Sequence, residues 1–255
     1  MGSINIVNIF DYAKRNIEVF HKSRLKSLKD TRLNDLLRRK NPYLFRAKNI
    51  LTAEQLIRSF LDAKLSSSEE KIFGDFLEEL AIHIAEKSLN AVKSGLRGID
   101  FEFTKKDARY LVSVKSGLQW GNSSQWKALE SDFKTANKVL RQSSHIHNVV
   151  NILGICYGKA KTTLKRGIML QICGQNFWYL ISGDESFYIE IVKPLAYKAK
   201  ELNDAFETKK AEIINIFTKQ FIDEFCDKNG KILWSKLIKY NSGNITAQDK
   251  EKLKK

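Results

Sequence analysis

Asp100 lies in the run Gly98-Ile99-Asp100-Phe101-Glu102-Phe103. Lys115 lies in Tyr110-Leu111-Val112-Ser113-Val114-Lys115-Ser116-Gly117. Apolar and polar residues alternate in both runs, which is the pattern of β-strands, and the short charged connection Thr104–Ala108 makes them a β-hairpin. A period of two sets Ile99, Phe101 and Phe103 on one face, with Asp100 and Glu102 on the other. In the second strand Tyr110, Val112 and Val114 oppose Leu111, Ser113 and Lys115. With the apolar sets turned to one core, Asp100, Glu102, Ser113 and Lys115 converge on the opposite side. Clustered carboxylates repel unless a cation or a lysine compensates. Mg²⁺ prefers oxygen ligands and keeps several waters, so one or two carboxylates hold it. Such an ion acidifies a water and stabilises charge on a phosphodiester oxygen. Lys115 would orient or deprotonate that water and offset the developing negative charge. Alternation alone is also consistent with an ordinary charged face of a hairpin.

The surrounding chain suits a polyanionic partner. Lys and Arg number 44 against 29 Asp and Glu, a formal net charge of +15 over 255 residues. Such an excess favours phosphate-rich ligands through counterion release. With 43% hydrophobic residues and only two prolines the composition is that of a folded protein with a sizeable core. Cys156, Cys173 and Cys226 are scattered and odd in number, which excludes a disulfide framework or zinc knuckle and points to a reducing cytoplasm. No apolar run approaches the roughly 18 residues of a membrane span, and the first residues lack the apolar stretch of a signal peptide. No Gly-rich phosphate loop is present.

The elements that must position the hairpin can be read on either side of it. Residues 4–40 form a helical, very basic stretch ended by Asn41-Pro42. Thr52 caps a helix through Leu61. Ser66 and Ser67, with Glu69 and Glu70 three residues on, open a second helix that runs to about Val92. After the hairpin come a helix from Ser123 to about Gln142 and apolar strands at Val149–Tyr157 and Gly167–Cys173. A lysine-bearing loop, Gly158–Arg166, separates these strands. Helices follow at Asn176–Ile181, at Phe187–Lys198, over a long stretch to Phe225, and at Ile232–Tyr240, before a frayed tail. The expected fold is α/β: a mixed central sheet flanked by helices, with helical N- and C-terminal additions. The expected division is a basic helical region 1–65, an α/β core 66–182 and a C-terminal helical region 183–255, as one compact unit.

The hairpin residues, together with Trp120-Gly121-Asn122-Ser123-Ser124-Gln125, resemble type II restriction endonucleases of the PD-(D/E)XK superfamily. The resemblance is nearest to the branch that cuts partly degenerate palindromes of GG…CC type. It extends through Asn41-Pro42-Tyr43 and Ile72-Phe73-Gly74-Asp75-Phe76-Leu77-Glu78 and covers residues 41–133, about a third of the chain. It implies a restriction-endonuclease-like core and Mg²⁺-dependent hydrolysis of both strands of double-stranded DNA within a restriction-modification system. A symmetric homodimer follows from a palindromic target, with one or two Mg²⁺ per active site. Asp100 matches the first acid of the motif and Lys115 its lysine. Ser113 departs from the pattern, standing where Asp or Glu is usual, and a serine is no anionic ligand. Three acids are open for the place: Glu78 on the helix before the hairpin, then Glu102, then Glu130 on the helix after it. The resemblance favours Glu78, because superfamily members often carry a helix-borne acid there.

The polar segment after the lysine ends at a helix start, with Asn122 or Ser123 as its cap. Free N–H groups there suit phosphate. Trp120, Asn122, Ser123 and Gln125 are therefore expected near DNA, although Trp120 also reads as a packed lid. Asn122 and Gln125 are read either as reaching base edges or as holding the loop. Lys159 and Lys161 in the 158–166 loop, with the basic N-terminal helices, are expected to grip phosphates, which positions a protein without specifying sequence. His145-Ile146-His147 has metal-like spacing but no acid or cysteine set nearby, so surface or capping roles are expected.

Overall fold

A computed structural model describes residues 6–254 except 144–147, with the backbone alone at Ser143. The histidines at 145 and 147 therefore lie outside the described residues. The chain opens with α1 (Ile6–Lys29), α2 (Leu33–Arg39), α3 (Pro42–Ala47) and α4 (Ala53–Leu89). There follow β1 (Val92–Lys93), β2 (Phe101–Lys105), β3 (Ala108–Lys115), α5 (Ser123–Ser143), β4 (Val149–Ile155), β5 (Thr163–Lys165) and β6 (Met169–Cys173). The last elements are α6 (Gln175–Ser182), α7 (Phe187–Glu190), α8 (Val192–Leu195), α9 (Ala199–Phe225), α10 (Trp234–Ser242) and α11 (Ala247–Leu253). The chain divides into two compact units. One comprises the residues up to Phe20 with Lys71–Ala199; the other comprises His21–Glu70 with Lys200–Lys255.

The first unit is built on a six-stranded mixed sheet in the order β1-β2-β3-β4-β6-β5. β3, β4 and β6 run parallel, while β1, β2 and β5 join their neighbours antiparallel. The mixed sheet with flanking helices agrees with the expected α/β class. The β2–β3 hairpin is present, with Phe101 opposite Val112 and Glu102 opposite Leu111.

Both faces of this sheet are buried. Phe101, Phe103, Val112, Val114 and Ile152 pack with Ile9 and Ala13 of α1, Phe76, Leu80 and Ile84 of α4, and Phe177 of α6. Leu111, Leu153, Ile155 and Met169 pack instead with Leu129, Phe133 and Leu140 of α5. This corrects two expectations. The Leu111 face is a second core beneath α5 rather than a free polar face. Ile99 also belongs to that second core and not with Phe101 and Phe103. It lies before β2, in a turn where its N–H donates to the Leu96 carbonyl at 3.1 Å, so strand alternation does not reach it.

The close approach of α6 to β4 depends on Gly154. A Cβ there would stand 2.2 Å from the fully buried Phe177 ring. Gly154→Ala should overpack this contact and lower stability by about 1–3 kcal/mol. Chemical denaturation compared with wild type would measure the loss.

Two further expectations change. No second helix opens at Ser66 and Ser67; α4 runs unbroken from Ala53 to Leu89. Ser67 and Ser68 turn their hydroxyls back to the carbonyls of Ala63 and Lys64 at 3.2 and 3.0 Å, as mid-helix serines do. The Thr52 start is right: its hydroxyl accepts from Gln55 N–H at 3.2 Å. The basic N-terminal stretch is two helices, α1 and α2, rather than one. α3 begins at Pro42, with the Asn41 side chain accepting from Tyr43 and Leu44 N–H.

The second unit is helical. Leu28, Leu37, Leu56, Phe60, Phe221, Phe225 and Leu237 are among its buried core. Some of its basic residues are tied into this packing. The Arg24 guanidinium reaches Glu69 at 2.5 Å and Asn203 at 2.8 Å, and lies over the Phe206 ring at 3.6 Å. Lys64 donates to Ser27 and Thr31. The tail expected to fray carries α11, opened by a capping box between Thr246 and Asp249.

Candidate active site

The hairpin fixes Asp100 by its backbone. The Asp100 N–H donates to the Val112 carbonyl at 2.9 Å just before β2 begins. Gly98 makes the preceding turn, at φ +74°, where a Cβ would also stand 2.5 Å from the Asp132 carboxylate. The Asp100 carboxylate then accepts from the Val114 N–H at 2.5 Å and lies 3.4 Å from the Ser113 hydroxyl. Ser113 is wholly buried. It supports Asp100 through its hydroxyl where a second acid is usual.

Glu78 arrives from α4. Its neighbours Phe76, Leu77, Leu80 and Ala81 are buried in the sheet-facing core, which brings this helix edge against the sheet. Near the end of β3, a Cβ on Gly74 would touch the Ser116 hydroxyl at 3.6 Å. Half-buried Glu78 lies close enough to Asp100 for the two carboxyls to act on each other. Burial first, and then the Asp100 charge, push the Glu78 carboxyl up to about 7, against the opposing pull of Lys115. Asp100 is also raised by burial, with Lys115, the Val114 N–H, Ser113 and Glu78 each holding it down. Both acids are thus harder to ionise than free carboxyls, because they are buried and the Asp100 charge raises the cost of charging Glu78. Lys115 completes the group. Its ammonium donates to the Val114 carbonyl at 2.8 Å and lies over the Trp120 ring, 5.7 Å from the centroid. The neighbouring Cys156 thiol is pushed up, by burial above all, and stays protonated.

Residues 7–203 match the family model of the type II restriction endonuclease EcoO109I. The chain belongs to this family. It is therefore a type II site-specific deoxyribonuclease, an enzyme that hydrolyses DNA. No match to a curated protein was found.

Within this restriction endonuclease the other expected site residues are placed unevenly. Glu102 is not brought to the acid pair; its carboxylate is engaged by Arg109 at 2.9 Å. Glu130 pairs instead with Lys134 at 2.8 Å and Arg166 at 3.3 Å. Asn122 and Gln125 hold the start of α5 as a reciprocal box. The Asn122 side chain accepts from Gln125 N–H at 3.1 Å, and the Gln125 side chain accepts from Asn122 N–H at 2.9 Å. Ser123 is the exposed first residue of that helix. Asn122→Ala should cost about 1 kcal/mol through loss of the cap, read as a lower midpoint in urea unfolding.

Lys159 and Lys161 are exposed and make no ion pair among the described residues. With Tyr157, Gln175, Asn176, Trp178 and Tyr188 they line a cavity of about 770 Å³ beyond the ends of β4 and β6. Tyr157 links this wall to the site strand, its N–H donating to the Ser116 carbonyl at 2.9 Å. Two residues that sequence reasoning misses are Trp126, whose ring centroid lies 4.7 Å from that of Trp120, and Arg166, over the Trp126 ring at 5.8 Å. Neither stands at a motif position, and the Arg166 contact joins segments remote in the chain.

The donor set fits a hard divalent cation. Glu78 and Asp100 offer carboxylate oxygens, and the charge of Lys115 favours the ionised form of both. Among the described residues no group of three or more His, Cys, Asp and Glu is assembled. Among the described residues no helix is long and apolar enough to cross a membrane.

Proposed function

We propose that this endonuclease cuts both strands of duplex DNA with Mg²⁺ as cofactor, as a symmetric homodimer serving a restriction-modification system. The observation that carries the reading is the Asp100 carboxylate held by the Val114 N–H and Ser113, with the Lys115 ammonium on the adjoining Val114 carbonyl and Glu78 near enough to act on both. Glu78 and Asp100 would hold one or two Mg²⁺, with Glu78 in place of the carboxylate absent at Ser113. When bound, Mg²⁺ supplies Lewis-acid stabilisation of the phosphodiester and a more acidic water.

The chain's own residues do the rest. Lys115 sets a positive charge where negative charge develops on phosphorus-bound oxygen, and it orients the attacking water. Ser113 and the Val114 N–H aim the Asp100 carboxylate and favour its ionised form against the effect of burial. Water adds to phosphorus as the bond to the leaving sugar oxygen breaks, giving a phosphomonoester and an alcohol. Lys159, Lys161 and the start of α5 around Ser123 would contact phosphates and set the DNA in register. A palindromic target read by two identical halves places one such site on each strand. The resemblance of the Trp120–Gln125 segment to the branch that cuts partly degenerate GG…CC-type palindromes supports a target of that kind.

Digestion of several unrelated long duplex DNAs with Mg²⁺ tests this reading. Discrete fragments whose sequenced ends share one palindrome are expected, with no cutting in EDTA. A uniform smear would point to a nuclease without sequence choice, and a gel shift without cleavage would point to a DNA-binding protein with an inactive site.

A further inference from the structure

We propose that Trp120 is a positioning residue for the Lys115 ammonium, holding it through the face of its indole. The inference rests on Lys115 acting in cleavage as proposed above. An ammonium has three donors to place. Among the described residues Lys115 places one on a protein acceptor, the Val114 carbonyl, and makes no ion pair within 4.0 Å. The contact that remains is the Trp120 ring at 5.7 Å, within the range in which a cation is attracted to an aromatic face.

The ring is held in place from behind. Its centroid lies 4.7 Å from that of Trp126, at an interplanar angle of 47°. The Arg166 guanidinium covers Trp126 at 5.8 Å, and Glu130 holds Arg166 at 3.3 Å. The Asn122–Gln125 box anchors the chain just beyond Trp120. The Trp120 indole is therefore the second layer of a column that runs from Lys115 through Trp126 and Arg166 to Glu130.

The orphan indole N–H shows why the residue is a tryptophan. The Trp120 Nε1 is buried and has no hydrogen-bond partner among the described residues. A buried unpaired donor is destabilising, and a phenylalanine would fill much of the same space without one. What indole offers beyond phenyl is the stronger attraction of its face for a cation. Base stacking by Trp120 would require the ring to leave both Lys115 and Trp126.

The test uses the full-length, metal-free protein with ¹³C-labelled lysine. Ring current should shift the Lys115 ε-CH₂ signal upfield; its loss in Lys115→Met assigns it. Trp120→Leu should return the signal to the position of the other lysines, and Trp120→Phe should leave part of the shift. In cleavage assays Trp120→Leu should lower kcat by about tenfold with KM for duplex DNA unchanged. Trp120→Phe should be at least as thermostable as wild type, because the orphan donor is gone, and yet slower. An unmoved lysine signal in Trp120→Leu, or a raised KM with kcat intact, overturns the inference. Full cleavage by Lys115→Met overturns the catalytic reading itself. That result is distinct from failure of the Trp120 inference alone, in which Lys115→Met is inactive while Trp120→Leu cuts at the wild-type rate.

Discussion

Lys115→Ala is expected to abolish the discrete fragments while leaving DNA binding and folding in place. The charge of the ammonium acts on both Glu78 and Asp100. Preorganised charge aimed at a developing negative centre is worth on the order of 10²–10³ in rate, so cutting should fall by at least that factor. The substitution removes a half-buried side chain that makes a single hydrogen bond, to its neighbour's carbonyl. The β3 ladder is made by backbone and stays intact. Single-turnover cleavage together with a gel-shift titration in Ca²⁺ would separate the two effects. A variant that binds and cuts like wild type would remove Lys115 from the chemistry.

Glu78→Gln should lose cleavage and, in metal-free protein, gain stability at alkaline pH. In the folded chain Glu78 is pushed up to about 7, against an ordinary value of 4.5. Between those values the folded state keeps a proton that the unfolded state has lost. The unfolded state binds fewer protons, so stability falls as pH rises through this window. Asp100, raised by the same burial, adds a fall of the same sign. Glutamine keeps a donor for the Asp100 carboxylate but carries no charge to desolvate. Melting temperature in EDTA should therefore decline from pH 5 to pH 8 in wild type and much less in the variant. Mg²⁺ at pH 8 should raise the wild-type midpoint and leave the variant nearly unmoved, because a ligand stabilises only the state that binds it. Parallel pH profiles for the two proteins, or undiminished cutting by the variant, would place the missing acid elsewhere.

The sequence showed some parts of this arrangement and hid others for definable reasons. Asp100 and Lys115 were legible because a hairpin brings them together through local pairing. Strand periodicity correctly grouped Tyr110, Val112 and Val114 with Phe101 and Phe103. It could not show that the reverse face is also a core, since the residues covering it come from α5. β1 and β5 are two and three residues long, with mostly exposed or half-exposed side chains, so they leave no apolar pattern to read. Ser66 and Ser67 carry the residue types of a helix start, but the apolar contacts of α4 on either side override them. Glu78 could be named from the sequence as one of three candidate acids, and family resemblance put it first. Trp126 and Arg166 depend on packing between distant segments, which spacing does not encode.

Ser113 has a consequence for how such enzymes are found and compared. On the proposed reading the second acid, Glu78, comes from a helix, while the strand position that usually carries it holds a buried hydroxyl. A search that requires the acid-x-lysine signature would discard this sequence as degenerate, although two carboxyls and an ammonium still meet in space. Once a helix supplies the charge, the strand position is released from selection for an acid and can drift toward residues that only pack. Relatives of this endonuclease are therefore better sorted by the number of carboxyls gathered at the hairpin than by the letters along it.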